Sequence, residues 1–355
     1  MKIKKIKRKI RKVVYLKRFD GITIKKIDEV GINTNLSCNL NCVMCHQKEI
    51  KCHKDMSYEL FEKILINLKR AKVTKISIVG GEIFVLKDPW KFIYLMEKMK
   101  FNYDLSSNLF HIPHIERFAK LKGLEMITTS IDGLKETHNK IRGNPRAFQN
   151  TVNNIKLILK MKIPIDSACV VQRANIDELE DIMIYLGKIG IKNFTFMVAN
   201  KINPQEKKSA IGTIEKITGA RADFYVNSKP NSLGDLSEKD IKLFKRKVLN
   251  LKKIAKKFKA RVSFSTQLIN PEVMDKKTNL RDYTCSLFAG YSPYVHADGS
   301  LNTCVFTKIK GDKFDLSRHD PLGILNSEEY IKIRKSFKKF GATPKCRYCC
   351  ALCKK

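Results

Sequence analysis

Two groups of cysteines have spacings that could do chemistry. The stretch CNLNCVMC sets Cys38, Cys42 and Cys45 in a C-x3-C-x2-C pattern, and CRYCCALC packs Cys346, Cys349, Cys350 and Cys353 into eight residues near the end of the chain. Three thiolates on one loop can each take one iron of a 4Fe-4S cluster and leave the fourth iron open to a chelating ligand. A structural zinc would need a fourth protein ligand close by, which Cys52 or His53 could supply. The total of 11 cysteines is odd and argues against a fully paired disulfide set. In a reducing compartment, clustered thiols hold metal more often than they form disulfides.

The elements that must position these thiols follow a clear rhythm. Apolar runs of strand length at Val30–Leu36, Lys75–Val79, Tyr103–Ser107, Glu125–Ile131, Pro164–Val171 and Asn193–Val198 alternate with amphipathic helical stretches. Among the helices are Tyr58–Ala71, with Ser57 as N-cap, Ala147–Met161 and Ile176–Gly187. Strand and helix repeated six times predicts a parallel sheet. Six units are too few to close an eight-stranded barrel, so the expected fold is α/β, a partial (β/α)6 TIM barrel, with a small C-terminal domain. The expected division is a basic segment over 1–24, the barrel over 25–235, a basic helix (cap Ser237) and short strand over 236–280, and the cysteine-bearing domain over 281–355. Residues 201–235, with NPQ and SKPNSLGD, read as irregular.

With 355 residues and 43% hydrophobic content the chain can bury a large core without staples. It opens on MKIKKIKRKIRK, which lacks the apolar segment of a secretory signal, and no run approaches the ~20 apolar residues that span a bilayer. The expected location is the cytoplasm. A formal charge of +35 attracts phosphates, but lysine is spread along the whole chain with few interleaved aromatics. Nucleic acid is therefore not the expected partner. The apolar stripe Ile3, Ile6, Ile10 allows contact with a membrane surface or packing on the protein body.

The cysteine loop after the first strand of a six-unit β/α array resembles the radical S-adenosylmethionine (radical SAM) superfamily. Further matches fall in that family's order. Gly80-Gly81-Glu82 in VGGEIF resembles the GGE element that receives the methionine amino group of SAM. Ser106, Ser107 and Asn108 stand where the family often has Thr-Asn-Gly. The stretch SIDGLKETHNKIRGNPRAF resembles the SIDG…H…RG…F signature of members with a SPASM or twitch auxiliary domain. The resemblance implies SAM contacts at Met44, Gly80, Gly81, Glu82, Ser107, Asn108, Ser130, Arg142 and Val198, with Ser130 at the ribose and Arg142 near the SAM carboxylate. Met44 lies against the adenine, with Met197 to Asn200 on its other side, and Asp132 shapes the turn. It also implies reductive cleavage of SAM to a 5′-deoxyadenosyl radical that abstracts hydrogen from the substrate.

Downstream, Gly299-x4-Cys304 after Cys285 resembles the start of a SPASM or twitch domain, and PLGILNSEEYIKIRKSF resembles the family's short strand and helix before the terminal cysteines. Six cysteines cannot complete two four-thiolate clusters. One auxiliary 4Fe-4S cluster is implied, on Cys285, Cys304, Cys346 and Cys349, with Cys353 or Cys350 as substitutes between which spacing does not choose. Sulfatase-maturing members have Asp immediately after the Gly-x4-Cys cysteine; here that position is Val305. No catalytic acid or base can be named. The residues before the first strand are too few for the leader-peptide-binding domain of many peptide-modifying members. The expected substrate is a peptide or a polar small molecule, and the expected electron donor a flavodoxin or ferredoxin. The competing reading, a zinc-bearing basic nucleic-acid-binding protein, accounts for the charge and cysteines but not for GGE or SIDG…RG.

Overall fold

The structure is a computed structural model that describes residues 20–45, 55–198, 203–224, 236–275, 277–285, 287–288, 290–343, 346–347, 349 and 352–354. In chain order its elements are β1 (Glu29–Asn33), α1 (Tyr58–Arg70), β2 (Lys75–Val79), α2 (Pro89–Lys98), β3 (Asn102–Ser106), β4 (Leu124–Ser130), α3 (Lys135–Arg142), α4 (Ala147–Lys160), β5 (Ile165–Val171), α5 (Leu179–Lys188) and β6 (Asn193–Val198). There follow α6 (Pro204–Thr218), β7 (Ala222–Phe224), α7 (Glu238–Lys257), β8 (Arg261–Phe264), α8 (Thr266–Ile269), β9 (Tyr283–Cys285), β10 (Tyr294–Val295), β11 (Leu301–Asn302), β12 (Thr307–Ile309), α9 (Pro321–Leu325), α10 (Glu328–Phe340) and β13 (Leu352–Lys354).

Strands β1 to β6 lie side by side in sequence order and every neighbouring pair is parallel. This is the six-unit α/β array expected of a partial TIM barrel. The sheet is longer than six strands, however. Strand β8 joins β6 in parallel, β10 joins β1 in parallel, and β11 adds an antiparallel edge, giving nine strands in the order β11-β10-β1-β2-β3-β4-β5-β6-β8. The cysteine-bearing segment is thus built onto the barrel sheet itself.

Alternation along the strands explains the layers. Val30, Ile32, Ile76, Ile78, Tyr103 and Leu105 are buried in one core with Phe61, Ile64, Leu65 and Leu68 of α1. The other face carries polar side chains. Glu29 accepts a hydrogen bond from Ser77 at 3.0 Å, and Lys75 bridges Asp104 at 2.7 Å and Glu125 at 2.8 Å. A closed eight-stranded barrel would fill that face with layers of branched apolar residues.

Ser57 caps α1 as expected, accepting from the Leu60 N–H at 3.1 Å, and Ser237 caps α7 through a capping box with Asp240. Two local expectations fail. Residues 204–218 are helical, not irregular: Asn203 and Glu206 form a capping box, Pro204 opens the helix, and Gly219 follows its end. The polar stretch hid a narrow apolar stripe, Ala210, Ile214 and Thr218, that packs on the protein. The LGIL stretch is also not a strand. Asp320 caps it by accepting from Gly323 N–H at 2.7 Å, and it winds into α9. Among the described residues, no helix is long and apolar enough to cross a membrane.

Candidate metal centre and its surroundings

The cysteine loop leaves the C-terminal end of β1, where ligands of parallel β/α sheets collect. Its shape is set by backbone contacts to two other elements. At the end of β2, the Gly81 N–H donates to Asn35 O at 2.8 Å and the Glu82 N–H to Ser37 O at 2.9 Å. At the end of α3, the Asn41 N–H donates to Arg142 O at 3.2 Å and the Val43 N–H to Ile141 O at 3.0 Å. Asn35, almost fully buried, adds side-chain bonds to Ser37 O and Glu82 O, both 2.9 Å.

The glycines of both motifs serve this clamp. A Cβ on Gly80 would lie 1.9 Å from Asn33 Oδ1, and one on Gly81 would lie 2.1 Å from Ser37 O. Gly80 also has φ +123°, a region L side chains avoid. Gly143 has φ +67°, and its Cβ would stand 2.5 Å from Asn41 O. The GGE and RG elements therefore make room for the cysteine loop to lie directly on the barrel ends.

The side chains of these motifs are committed inward. Glu82 has no exposed surface; its carboxylate accepts from Ser107 Oγ at 2.9 Å, Phe84 N–H at 3.2 Å and Asn108 N–H at 2.7 Å. Burial pushes its carboxyl up to about 7, and those three donors pull partly the other way. Ser107 is buried against it and accepts from Leu109 N–H at 3.0 Å. Leu109 follows in the left-handed conformation, with φ 55°. Asn108 then reaches the loop: its Nδ2 donates to Asn39 Oδ1 at 2.8 Å and to Cys38 Sγ at 3.5 Å.

The second motif repeats the arrangement. Asp132 has no exposed surface, accepts from Val170 N–H at 2.9 Å and pairs with Arg142 Nη2 at 2.5 Å. Arg142 Nη1 donates to Cys42 Sγ at 3.6 Å. Burial alone would lower the guanidinium, but Asp132 and Cys42 more than offset it and its proton is held more tightly than usual. The signature histidine, His138, accepts the Asp132 N–H on Nδ1 at 3.1 Å, and burial keeps the ring neutral, well below its ordinary range. It is a packing residue of the turn. Of the expected SAM contacts, Glu82, Ser107 and Arg142 are thus buried and occupied by protein partners, and Asn108 is turned onto the cysteine loop. Ser130 at the end of β4 and Met44 on the loop are half-buried, and Val198 closes β6.

The donors fit an iron–sulfur cluster. Soft thiols suit it, and N–H groups aimed at the sulfurs are among the features that tune one. Neighbouring protein desolvates the Cys38 thiol and pushes it up to about 11, offset in part by a hydrogen bond from the Leu40 backbone. Cys42 and Cys45 are close enough to raise it further. A bound metal would displace that proton. Among the described residues, no three or more His, Cys, Asp or Glu side chains converge on one ion. Four thiolates around one zinc stand only about 3.8 Å apart. Cys52 and His53 lie outside the described residues.

The tail brings together thiols from separate stretches. Burial raises the Cys285 thiol above its ordinary range, and Cys346 and Cys304 raise it further by proximity. Cys349 and Cys304 border the same apolar cluster as Phe306, Phe224 and Val305. Backbone ladder pairs set Leu352 opposite Cys285 in β13–β9. Gln267, which carries no motif signal, and Arg347 of CRYCCALC itself tie the described residues of that stretch to the protein. Gln267, fully buried, donates to Arg347 O and Cys349 O, both 2.8 Å. Arg347 donates to the carbonyls of Val273, Asp275 and Thr278 at 3.0, 2.6 and 2.7 Å. Cys350 and the side chain of Cys353 lie outside the described residues.

The Radical SAM superfamily matches residues 32–186. The sporulation killing factor maturation protein SkfB of Bacillus subtilis (strain 168) is 27% identical over 150 residues, 41% of this chain and 36% of SkfB. A GTP 3′,8-cyclase of Clostridium botulinum (strain Hall) is 30% identical over 170 residues, 45% of this chain and 52% of the cyclase. The chain thus spans about a third to a half of the length of these relatives. In fold it is similar to Streptococcus suis SuiB bound to precursor peptide SuiA, with a TM-score of 0.64 and 16% identity over 94% of this chain and 72% of SuiB. It is equally similar to anSMEcpe with bound AdoMet and Cp18Cys peptide, with a TM-score of 0.63 and 18% identity over 92% of this chain and 89% of that one. At such coverage, most of the cysteine-bearing tail falls within the matched fold. Through residues 32–186 the chain is thus similar to the radical SAM superfamily.

Proposed function

We propose that this protein is a radical SAM enzyme that modifies a peptide, and that its C-terminal segment is a SPASM- or twitch-like domain holding one auxiliary 4Fe-4S cluster. The observation that carries the reading is the fusion of the tail to the barrel: β10 extends the sheet at β1, and Cys346 and Cys304 lie near enough to Cys285 to raise its thiol. The likeness to SuiB and anSMEcpe, both with peptide bound, supports a peptide substrate.

Cys38, Cys42 and Cys45 would hold the site cluster, and Cys285, Cys304, Cys346 and Cys349 the auxiliary one. With SAM bound there, the reduced site cluster would supply the one-electron chemistry that lets a SAM-derived group take a hydrogen atom from an unactivated C–H bond. The chain's own residues do the positioning. Gly80 and Gly81 seat the loop and leave their backbone at the mouth for the SAM amino group, and Met44, Ser130 and Val198 wall the nucleoside. Val305 borders an apolar cluster with Phe306 and Phe224, so no proton acceptor follows Cys304. A flavodoxin- or ferredoxin-type protein would deliver the electron.

Anaerobic reconstitution tests the reading. The chain should bind about eight irons, two clusters of four, and a variant with Cys285, Cys304, Cys346 and Cys349 changed to Ala should bind about half as many. A colourless protein holding two zincs would establish the nucleic-acid-binding alternative instead.

A further inference from the structure

We infer that Asn108 and Arg142 are hydrogen-bond donors to the cluster thiolates of Cys38 and Cys42, and that they set the ease with which the site cluster is reduced. The inference rests on the cluster reading above and concerns residues that the family resemblance would place against SAM.

The same construction occurs twice, on opposite sides of one loop. In each, a carboxylate with no exposed surface holds a residue whose side-chain nitrogen reaches a cysteine sulfur: Glu82 through the Asn108 backbone, Asp132 through the Arg142 guanidinium itself. Glu82 accepts the Asn108 backbone N–H at 2.7 Å, and Asn108 Nδ2 stands 3.5 Å from Cys38 Sγ. Asp132 pairs with Arg142 Nη2 at 2.5 Å, and Arg142 Nη1 stands 3.6 Å from Cys42 Sγ. The Asn108 side chain is fixed a second time, because its Oδ1 accepts the Phe110 N–H at 2.8 Å. That contact decides its orientation: with Oδ1 taken by a donor, the amide nitrogen must be the atom facing the sulfur. Arg142 is 7% exposed, so its charge is felt in a poorly screened interior. Partners behind metal ligands orient them and tune the metal in this way.

The direction follows from charge. Taking up one electron makes the cluster and its thiolates more negative, and N–H groups aimed at the sulfurs stabilise that state. Removing a donor makes reduction harder and moves the midpoint to lower potential. Asn108→Asp does more than Asn108→Ala, because it sets an anion against the thiolate while keeping the Oδ1 acceptor for Phe110 N–H. Arg142→Lys keeps the charge beside Asp132 but loses the planar fork that serves both partners at once.

The test is a dithionite titration of the anaerobically reconstituted full chain, without SAM, following the electron paramagnetic resonance of the reduced site cluster. Dithionite supplies the electron. Expected are iron contents equal to wild type and midpoints falling in the order wild type, Asn108→Ala, Asn108→Asp, with Arg142→Lys also below wild type. A tenfold change in reducibility reads as about 59 mV for one electron. Midpoints unchanged in Asn108→Asp and in Arg142→Lys, at full iron content, overturn the inference and leave the cluster reading standing. So does a variant whose only defect is weaker SAM binding. A wild-type chain that binds no iron through Cys38, Cys42 and Cys45 overturns the cluster reading itself, and the inference with it.

Discussion

Arg142→Leu is the sharpest probe of how the site is built. Asp132 has no exposed surface and, among the described residues, Arg142 is the counter-charge paired with it, at 2.5 Å; the carboxylate also accepts the Val170 N–H at 2.9 Å. Removing the guanidinium leaves a buried, uncompensated carboxylate, which typically costs about 3–5 kcal/mol. At about 2.1 cal/mol/K of unfolding entropy per residue, the 355-residue chain carries about 0.75 kcal/mol/K, so the melting temperature should fall by about 4–7 °C. The assay is thermal unfolding of the iron-free protein by circular dichroism, which keeps cluster loading out of the comparison. The double variant Asp132→Asn with Arg142→Leu removes both charges and should recover most of the loss, because replacing a buried ion pair whole is often close to neutral. A single variant within about 1 °C of wild type, or a double variant no better than the single, would refute the argument that this pair is buried and mutually dependent.

Other outcomes follow from the same geometry. Gly80→Ala places a methyl 1.9 Å from Asn33 Oδ1 at the end of β1, and Gly81→Ala one 2.1 Å from Ser37 O on the cysteine loop; both should lose iron from the site cluster while the auxiliary cluster loads normally, read as iron per chain. Gly212→Ala, where a Cβ meets nothing within 4 Å in the middle of α6, should stabilise the protein by about 0.5–1 kcal/mol. Glu82→Gln leaves one N–H donor facing the amide and should cost about 1–3 kcal/mol at low pH, seen in chemical denaturation. Burial raises the folded-state Glu82 carboxyl to about 7, so its protonation stabilises the fold fully below pH 4.5, and that contribution disappears as pH rises through 7. The deficit of Glu82→Gln relative to wild type should therefore shrink by a few kcal/mol between pH 4.5 and 8; a deficit that grows over this window contradicts the sign. Gln267→Ala, which removes one donor from each of the carbonyls of Arg347 and Cys349, should reduce auxiliary iron and spare the site cluster.

The barrel was readable because its six strands alternate against a helical core, and period and strand length agree at each one. Strands Lys75–Val79 and Asn193–Val198 fall on the expected residues. The helix at 204–218 was hidden because three small or short apolar residues on a lysine-rich surface make a weak stripe, although its capping signals were in plain view. The cysteines and the GGE and RG motifs were legible as types and spacings. What spacing could not show is direction: whether Glu82 and Arg142 face a ligand or the protein depends on which neighbour folds against them. Here Ser107, Asn108 and Asp132, distant in sequence from the loop, claim both side chains. Gln267 carries no motif and only the fold reveals its hold on the tail.

The central claim is that the loop bearing Cys38, Cys42 and Cys45 supports cleavage of SAM. It is tested most directly by incubating the anaerobically reconstituted chain with SAM and dithionite and measuring 5′-deoxyadenosine by mass spectrometry. The account predicts 5′-deoxyadenosine from the wild-type chain and none above background when all three cysteines are changed to Ala, with the auxiliary irons retained. A fully loaded wild-type chain that yields none, or a triple variant that yields as much, would contradict it.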